Sequence, residues 1–392
     1  MKKTFCKLIF VFFLSCFLQS NAQEVLWGAN LYISYQIGTL PIVISVSHGG
    51  NLEPNDIPDR SCNSPVFATD VNTIQTTQAI NQALFDLTGC YPHIITSHLH
   101  RRKLDPNRNL QNGACGNLQG VNAWIEFHNF ITQAQQTVTQ QYGTQQFFVD
   151  LHGHGNPINR IELGYLLYDD ELELSDQVLN SNTFLNYSSI KELALNNLNN
   201  YTHAQLLRGP FSFGTLLMNN GFSSVPSTQI PFPGLSSNYF SGGYILANHS
   251  CYSENNNING LQMELHFSGL RDTTNNRELF ALNFSNVIKD YLLTHKGIDI
   301  LECNSLSLPE YKPKSIELVP NPLHKDSYNL CLNDSEMVVQ ITLFDSFGRM
   351  VFSANGFSDC ISLAEVNSTG LHYIELKNSD NQVIHIQKLI LH

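Results

Sequence analysis

Pro41-Ile42-Val43-Ile44-Ser45-Val46-Ser47 runs directly into His48-Gly49-Gly50. An apolar, β-branched run closed by two glycines reads as a buried strand opening into a loop. Working outward, Val71, Ile74, Ile80, Leu84 and Leu87 recur at helical spacing. Tyr91 to Thr96 reads as a second strand. Val121, Trp124, Ile125, His128 and Ile131 mark another helix, and Phe147 to Leu151 the strand after it. Leu261 to Leu265 is a late strand, and Leu279, Leu282, Val287, Ile288 and Tyr291 outline a closing helix. Strand and helix in alternation indicate an α/β domain with a largely parallel sheet, over 23–296.

The flanks read differently. Lys2, Lys3 and Lys7 precede an apolar run from Leu8 to Leu18, and Ser20-Asn21-Ala22 follows with small residues. That is the pattern of a cleaved signal peptide over 1–22, too short to span a bilayer as an anchor. The expected location is secreted or at the cell surface, by way of the periplasm. After Lys296 periodicity is lost, so 297–314 reads as a linker. Short alternating strands at Val338 to Leu343, His372 to Leu376 and Ile384 to Leu389 then indicate a small C-terminal β-sandwich over 315–392.

Of 392 residues, 42% are hydrophobic and 14% charged, ample for a large core. Acidic residues outnumber Lys and Arg by 33 to 21. The net charge of -12 argues against a nucleic-acid partner. Seven cysteines lie outside the signal, with no CxxC pair, which argues against a cysteine-ligated zinc. Two or three disulfides are expected, with one thiol left over; Cys331 and Cys360 share one small unit and are the first pairing to expect.

Three polar clusters fall at strand ends, where α/β sites form. They are Ser47-His48-Gly49-Gly50-Asn51-Leu52-Glu53, Asp150-Leu151-His152-Gly153-His154-Gly155 and Gln262-Met263-Glu264-Leu265. Two imidazoles and a carboxylate would hold a catalytic zinc with a position open for water. A further carboxylate free of the metal would carry the proton. Glu264 fits that need. Singly, each residue has an ordinary alternative, a satisfied structural histidine or a half-buried glutamate; the constellation is the signal. Arg101-Arg102-Lys103-Leu104-Asp105-Pro106-Asn107-Arg108 is a basic loop in an acidic protein. It reads as a clamp for a carboxylate, since a guanidinium pairs with one bidentately. The ordinary alternative is a solvated loop.

In order, His-Gly-Gly, Leu-Asp-Pro-Asn-Arg, Asp-Leu-His-Gly-His-Gly, Gly-Gly-Tyr and Leu-Gln-Met-Glu-Leu resemble the N-formylglutamate amidohydrolase family from Pro41 to Leu293. The resemblance implies a zinc-carboxypeptidase-like (phosphorylase/hydrolase-like) fold, a mixed sheet between helices. It implies His48 and His152 as zinc ligands and Glu264 as general acid/base. Asp105, Asn107 and Arg108 match the family's Asp-x-Asn-Arg segment, which with Arg101 is expected to bind substrate, Arg108 holding its carboxylate. Gly242-Gly243-Tyr244 matches the turn before the catalytic strand, with Tyr244 against substrate. The middle ligand is Glu53, five residues after His48, or Asp56. His154 is assigned to substrate contact or oxyanion polarisation.

The C-terminal unit resembles the sorting domain of the type IX secretion system, at Val319-Pro320-Asn321-Pro322, Leu343-Phe344-Asp345-Ser346-Phe347-Gly348-Arg349 and Thr369-Gly370-Leu371-His372-Tyr373. That machinery is then an expected partner. The expected activity is zinc-dependent hydrolysis of an amide bond in a small acylated amino acid or peptide bearing a carboxylate. A metallocarboxypeptidase or peptidoglycan-peptide hydrolase is the enzymatic alternative. A surface binding protein that has lost the reaction is the other.

Overall fold

The computed structural model describes residues 23–234, 238–254, 256–303, 318–319, 329–332, 340–345, 349–355, 360–377 and 383–391. The expected signal peptide and residues 304–314 of the expected linker lie outside them, as do Pro320 to Pro322 and Ser346 to Gly348 of the sorting motifs.

Eight strands form one mixed sheet: β1 (Val25–Trp27), β2 (Ile33–Gln36), β3 (Ile42–Val46), β4 (His93–Ser97), β5 (Phe147–Gly153), β6 (Ile161–Gly164), β7 (Ser224–Val225) and β8 (Asn259–Leu265). Their order is β1-β2-β4-β3-β5-β8-β6-β7. The central four, β4-β3-β5-β8, are mutually parallel. β2 joins β4, and β6 joins β8, in antiparallel sense. The expected parallel sheet is therefore the middle of a mixed one.

Period-two alternation sorts the central strands onto two faces. Ile42, Ile44, Val46, Phe147, Val149, Leu151, Leu261, Met263 and Leu265 share a core with the helices Thr73–Thr88 and Thr274–Lys296. The second helix buries Phe280, Phe284, Val287, Ile288, Tyr291 and Leu292 along one stripe. Each such side chain contributes about 1.5–3 kcal/mol, and Phe284→Ala would cost about 3–5 kcal/mol. On the opposite face, Val43, Ile95 and Phe148 pack with Phe127, Ile131, Ala134 and Val138 of the helix Leu118–Tyr142. Farther along β5 and β8 that second face turns polar, with Asp150, His152, Gln262 and Glu264 all buried. The site grows from this change.

Past Lys296 the chain stays on the first unit for several residues. Ile298 and Ile300 are buried, and Cys303 is joined to Cys90. The expected linker thus begins later than residue 297; contacts divide the chain between Leu306 and Ser307. A second disulfide joins Cys62 to Cys115, and Cys251 is a free, buried thiol.

The C-terminal unit has a three-stranded sheet, β13-β10-β9 (Cys360–Ser362, Asn329–Leu332, Leu318–Val319), with all pairs antiparallel. A four-stranded antiparallel sheet, β12-β11-β14-β15, comprises Met350–Asn355, Gln340–Asp345, Gly370–Lys377 and Val383–Leu391. Ile361 of the first sheet shares a core with Ile341, Leu343, Ile374 and Leu376 of the second. Cys360 is disulfide-bonded, and the strand register sets Cys331 opposite it.

Candidate metal centre

Ser45, Asp150 and Gln262 are register partners across β3, β5 and β8, and one step on, His152 stands beside Glu264. Paired residues on neighbouring strands project to the same face. Gln262 Nε2 accordingly donates to Glu264 Oε1 at 2.9 Å, and Ser45 Oγ donates to Asp150 Oδ1 at 2.7 Å. These fixed contacts sit at the carboxyl ends of the parallel strands, where the chain turns away and leaves a crevice.

His48 enters from the turn after β3. Its Nε2 donates to Asp105 Oδ1 at 2.7 Å, which leaves Nδ1 buried with no hydrogen-bond partner. His152 Nε2 donates likewise to Asp150 Oδ2 at 2.9 Å. Both Nδ1 atoms therefore face inward, and Asp70 Oδ2 lies 3.5 Å from that of His48 and 3.2 Å from that of His152. His48, Asp70 and His152 form a buried group able to hold a metal ion. Ligands about 2.0–2.1 Å from a tetrahedral zinc stand about 3.3 Å apart, so the observed spacings suit such an ion. The orphaned Nδ1 of His48 supplies a lone pair, and a carboxylate behind each imidazole is the usual support of a metal-bound histidine.

Electrostatics agree with a site made for positive charge. Burial would raise the Asp70 carboxyl, but the hydrogen bond from His152 and the charge of both imidazoles hold it well below the usual carboxylate range. Asp105 is also buried, yet His48, Arg101 and Arg60 hold it ionised. Burial alone would depress His152; Asp150 and Asp70 overrule it and lift its affinity for a proton well above the ordinary value. Glu264 is different. Burial pushes its carboxyl up to about 8, with His152 opposing and Asp70, Asp150 and Glu162 adding to the rise.

The expected middle ligand is elsewhere. Glu53 is half-exposed and lies 3.8 Å from both His100 and Arg102. Asp56 bonds the hydroxyl of Tyr32 at the surface. The short loop after His48 turns outward, so neither carboxylate joins the group; the carboxylate that does is Asp70. Asp105, expected to touch substrate, supports His48 instead. Asn107 Oδ1 accepts from the N–H of Ile245 at 2.9 Å, while its Nδ2 lies 3.4 Å from His152 Nε2. It thereby ties the helix Tyr244–His249 to the site. A Cβ on Gly243 would overlap the Asn107 amide, which explains the glycine ahead of Tyr244.

Arg101 Nε donates to Asp105 Oδ2 at 3.1 Å, and one of its terminal nitrogens is 4.0 Å from Asp70. Arg108 is exposed and donates to the carbonyl of Asn107. Tyr244 lines a cavity of about 710 Å³ with Gly242, Gly243, Leu166, Tyr168 and Tyr252. His154 has neither ring nitrogen to offer a substrate: Nε2 donates to the carbonyl of Arg160, and Nδ1 accepts from the N–H of Asn156. Its assignment to substrate contact is corrected to a structural role.

Asp70 and Arg60 are neighbours of the group that spacing did not single out, and Asp150, though within the second cluster, was given no role of its own. Asp150 lies two residues before His152 on one strand face, a signal that was available. Asp70 lies just before a helix, where an acidic residue ordinarily reads as a cap.

No known family model matches the chain, and no characterised protein matches it in sequence. Among solved structures, N-formylglutamate amidohydrolase from Ralstonia eutropha JMP134 is similar at 13% identity, covering 67% of this chain and 96% of that one, with a TM-score of 0.38. Cell shape determinant protein Csd4 from Helicobacter pylori, in its apo and product-bound forms, is similar at 9% identity. Those two cover 90% of this chain and 95% of theirs, with TM-scores of 0.24 and 0.23. Likeness this distant carries no functional inference, so side-chain geometry has to carry it.

Proposed function

We propose that this protein is a metal-dependent hydrolase of amide bonds, holding zinc with His48, Asp70 and His152. The observation that carries the reading is the convergence of those three donors, with Asp70 Oδ2 3.5 Å and 3.2 Å from the two Nδ1 atoms, beside a buried Glu264 in register with His152. Two nitrogens and one oxygen are a zinc-type donor set. Zinc bound there supplies Lewis acidity toward a carbonyl and toward water.

The chain's own residues do the rest. In its ionised form Glu264 accepts a proton from the attacking water and delivers it to the departing amine. Arg108, on the basic loop, anchors a substrate carboxylate through its guanidinium. The cavity beside Tyr244 is large enough for a peptide as well as an acylated amino acid. The family resemblance in the motif order supports an N-formylglutamate amidohydrolase-like, zinc-carboxypeptidase-like enzyme. The signal-like N-terminus and three disulfide-bonded cysteine positions in separate parts of the chain, Cys62, Cys90 and Cys360, fit an oxidising compartment. The C-terminal unit is read as the type IX sorting domain. Among the described residues no helix is long and apolar enough to cross a membrane.

Glu264→Gln tests the mechanism. Turnover of N-acyl amino acids and short peptides should fall at least about a thousandfold, while bound zinc stays at the wild-type level. Near-normal turnover in that variant would remove Glu264 from the reaction.

A further inference from the structure

Arg271 lies outside the metal group and outside every motif, yet its guanidinium is buried among the segments that carry the site. Nε donates to the carbonyl of Leu265 at 3.1 Å, one residue beyond Glu264. One terminal nitrogen donates to the carbonyl of His154 at 3.1 Å, two residues beyond His152. The other donates to the carbonyl of Val71, one residue beyond Asp70. Three chain segments meet on one planar fork, which matches the fixed geometry of a guanidinium and not that of an ammonium.

The return contact is equally specific. Asn72 occupies the N-cap position of the helix Thr73–Thr88 in a left-handed conformation, with φ of 64°, and makes no capping bond. Its side chain donates instead to the carbonyl of Arg271 at 2.9 Å. An N-cap side chain ordinarily bonds the first turn of its own helix, so the loop carrying Asp70 is held to Arg271 against a local preference.

Space has been cleared for the fork. A Cβ on Gly153 would lie 2.7 Å from both terminal nitrogens of Arg271. Gly153 has no positive φ, so its missing side chain serves room and not backbone freedom. The Phe267 ring covers the guanidinium, its centroid 5.5 Å away. The end of a long side chain would ordinarily swing aside from a new methyl group; here three carbonyls pin it.

We propose that Arg271 is a positioning residue that sets Asp70 against His152 and Glu264, and that Gly153 exists to admit it. The inference rests on the metal-centre reading above. It does not need Arg271 to touch substrate, metal or the reacting atoms.

Cobalt(II) titration of the purified full chain, followed by its visible absorption, tests this without turnover. Removing a supporting partner of a metal ligand commonly weakens binding 10–100-fold. Arg271→Ala and Gly153→Ala should each weaken cobalt about tenfold or more, with altered band positions, and Arg271→Lys should fall between them and wild type. In the double variant the added methyl enters vacated space, so its affinity should be no lower than that of Arg271→Ala alone. Wild-type affinity and spectrum in Gly153→Ala, or losses that multiply in the double variant, would overturn the proposal. If Arg271→Ala does not fold, Gly153→Ala and Arg271→Lys decide it alone: unchanged binding in either overturns it. A wild-type chain that binds no cobalt or zinc would instead refute the metal centre itself, and the positioning role with it.

Discussion

Three carboxylates share the two central imidazoles: Asp70 faces both Nδ1 atoms, while Asp105 and Asp150 each hold one Nε2. The division of labour follows from geometry, because a carboxylate behind Nε2 fixes the tautomer that leaves Nδ1 as the donor. Asp105→Ala and Asp150→Ala should therefore weaken zinc about 10–100-fold without removing a ligand, as competition with a calibrated chelator would show. Equal affinity to wild type would mean the imidazoles need no support. Arg108→Ala addresses substrate. For substrates carrying a carboxylate, KM should rise about tenfold or more with kcat nearly unchanged, the mark of lost uniform binding. The two histidines of the candidate metal group were legible because each sits at the end of an apolar strand. Asp70 was not, since nothing local separates a ligand before a helix from a capping residue.

At the scale of elements, the disulfide Cys62–Cys115 closes 53 residues of sequence and braces two loops, one leading to Asp70 and the other carrying Asp105 and Asn107. On the chain-entropy estimate a loop of that size stabilises by about 4 kcal/mol. Replacing both cysteines with serine should lower Tm by about 10 °C and weaken metal binding, because both loops then move independently. A Tm within a degree or two of wild type would show that packing alone holds them. Long amphipathic helices were readable from their spacing: the series from Val71 to Leu87 is the helix Thr73–Thr88, and that from Leu279 to Tyr291 lies within Thr274–Lys296. The short strands β1, β6 and β7 and the short helices between Asp169 and Asn219 were not. Elements of two to seven residues span too few periods for a pattern, and their ends are set by tertiary contacts.

The molecule as a whole buries several imidazoles outside the His48, Asp70 and His152 group. Burial depresses His93 to about 4, His128 to about 4, His249 to about 3 and His266 to about 4. Tyr35 and the N–H of Gly38 both point at His93 Nδ1, and His128 stacks on His249 with a 2.7 Å bond between rings. In the unfolded chain these groups would titrate near 6.5. Between about pH 6.5 and 4 the unfolded state thus binds more protons than the native state, so stability rises with pH across that window and falls on acidification. Carboxylates such as Asp70 and Asp105, held below their usual range, add losses only at lower pH. Calorimetry of the metal-loaded protein in buffers of differing ionisation heat should find a net uptake of protons on unfolding near pH 5, because the depressed histidines outnumber Glu264, whose raised carboxyl releases one. Uptake near zero would mean these histidines titrate normally in the fold. Periodicity is lost after Lys296, yet Cys303 is held to the first unit by a disulfide to Cys90, 213 residues earlier, a pairing that spacing does not reveal.

The claim on which the rest depends is that His48, Asp70 and His152 together hold one dication. Elemental analysis of wild type and Asp70→Asn, purified without chelator and equilibrated with zinc, tests it directly. The expected result is one zinc per wild-type chain and a large loss in Asp70→Asn, with Glu53→Gln retaining the wild-type content. A zinc-free wild type, or full occupancy in Asp70→Asn with loss in Glu53→Gln, would contradict it.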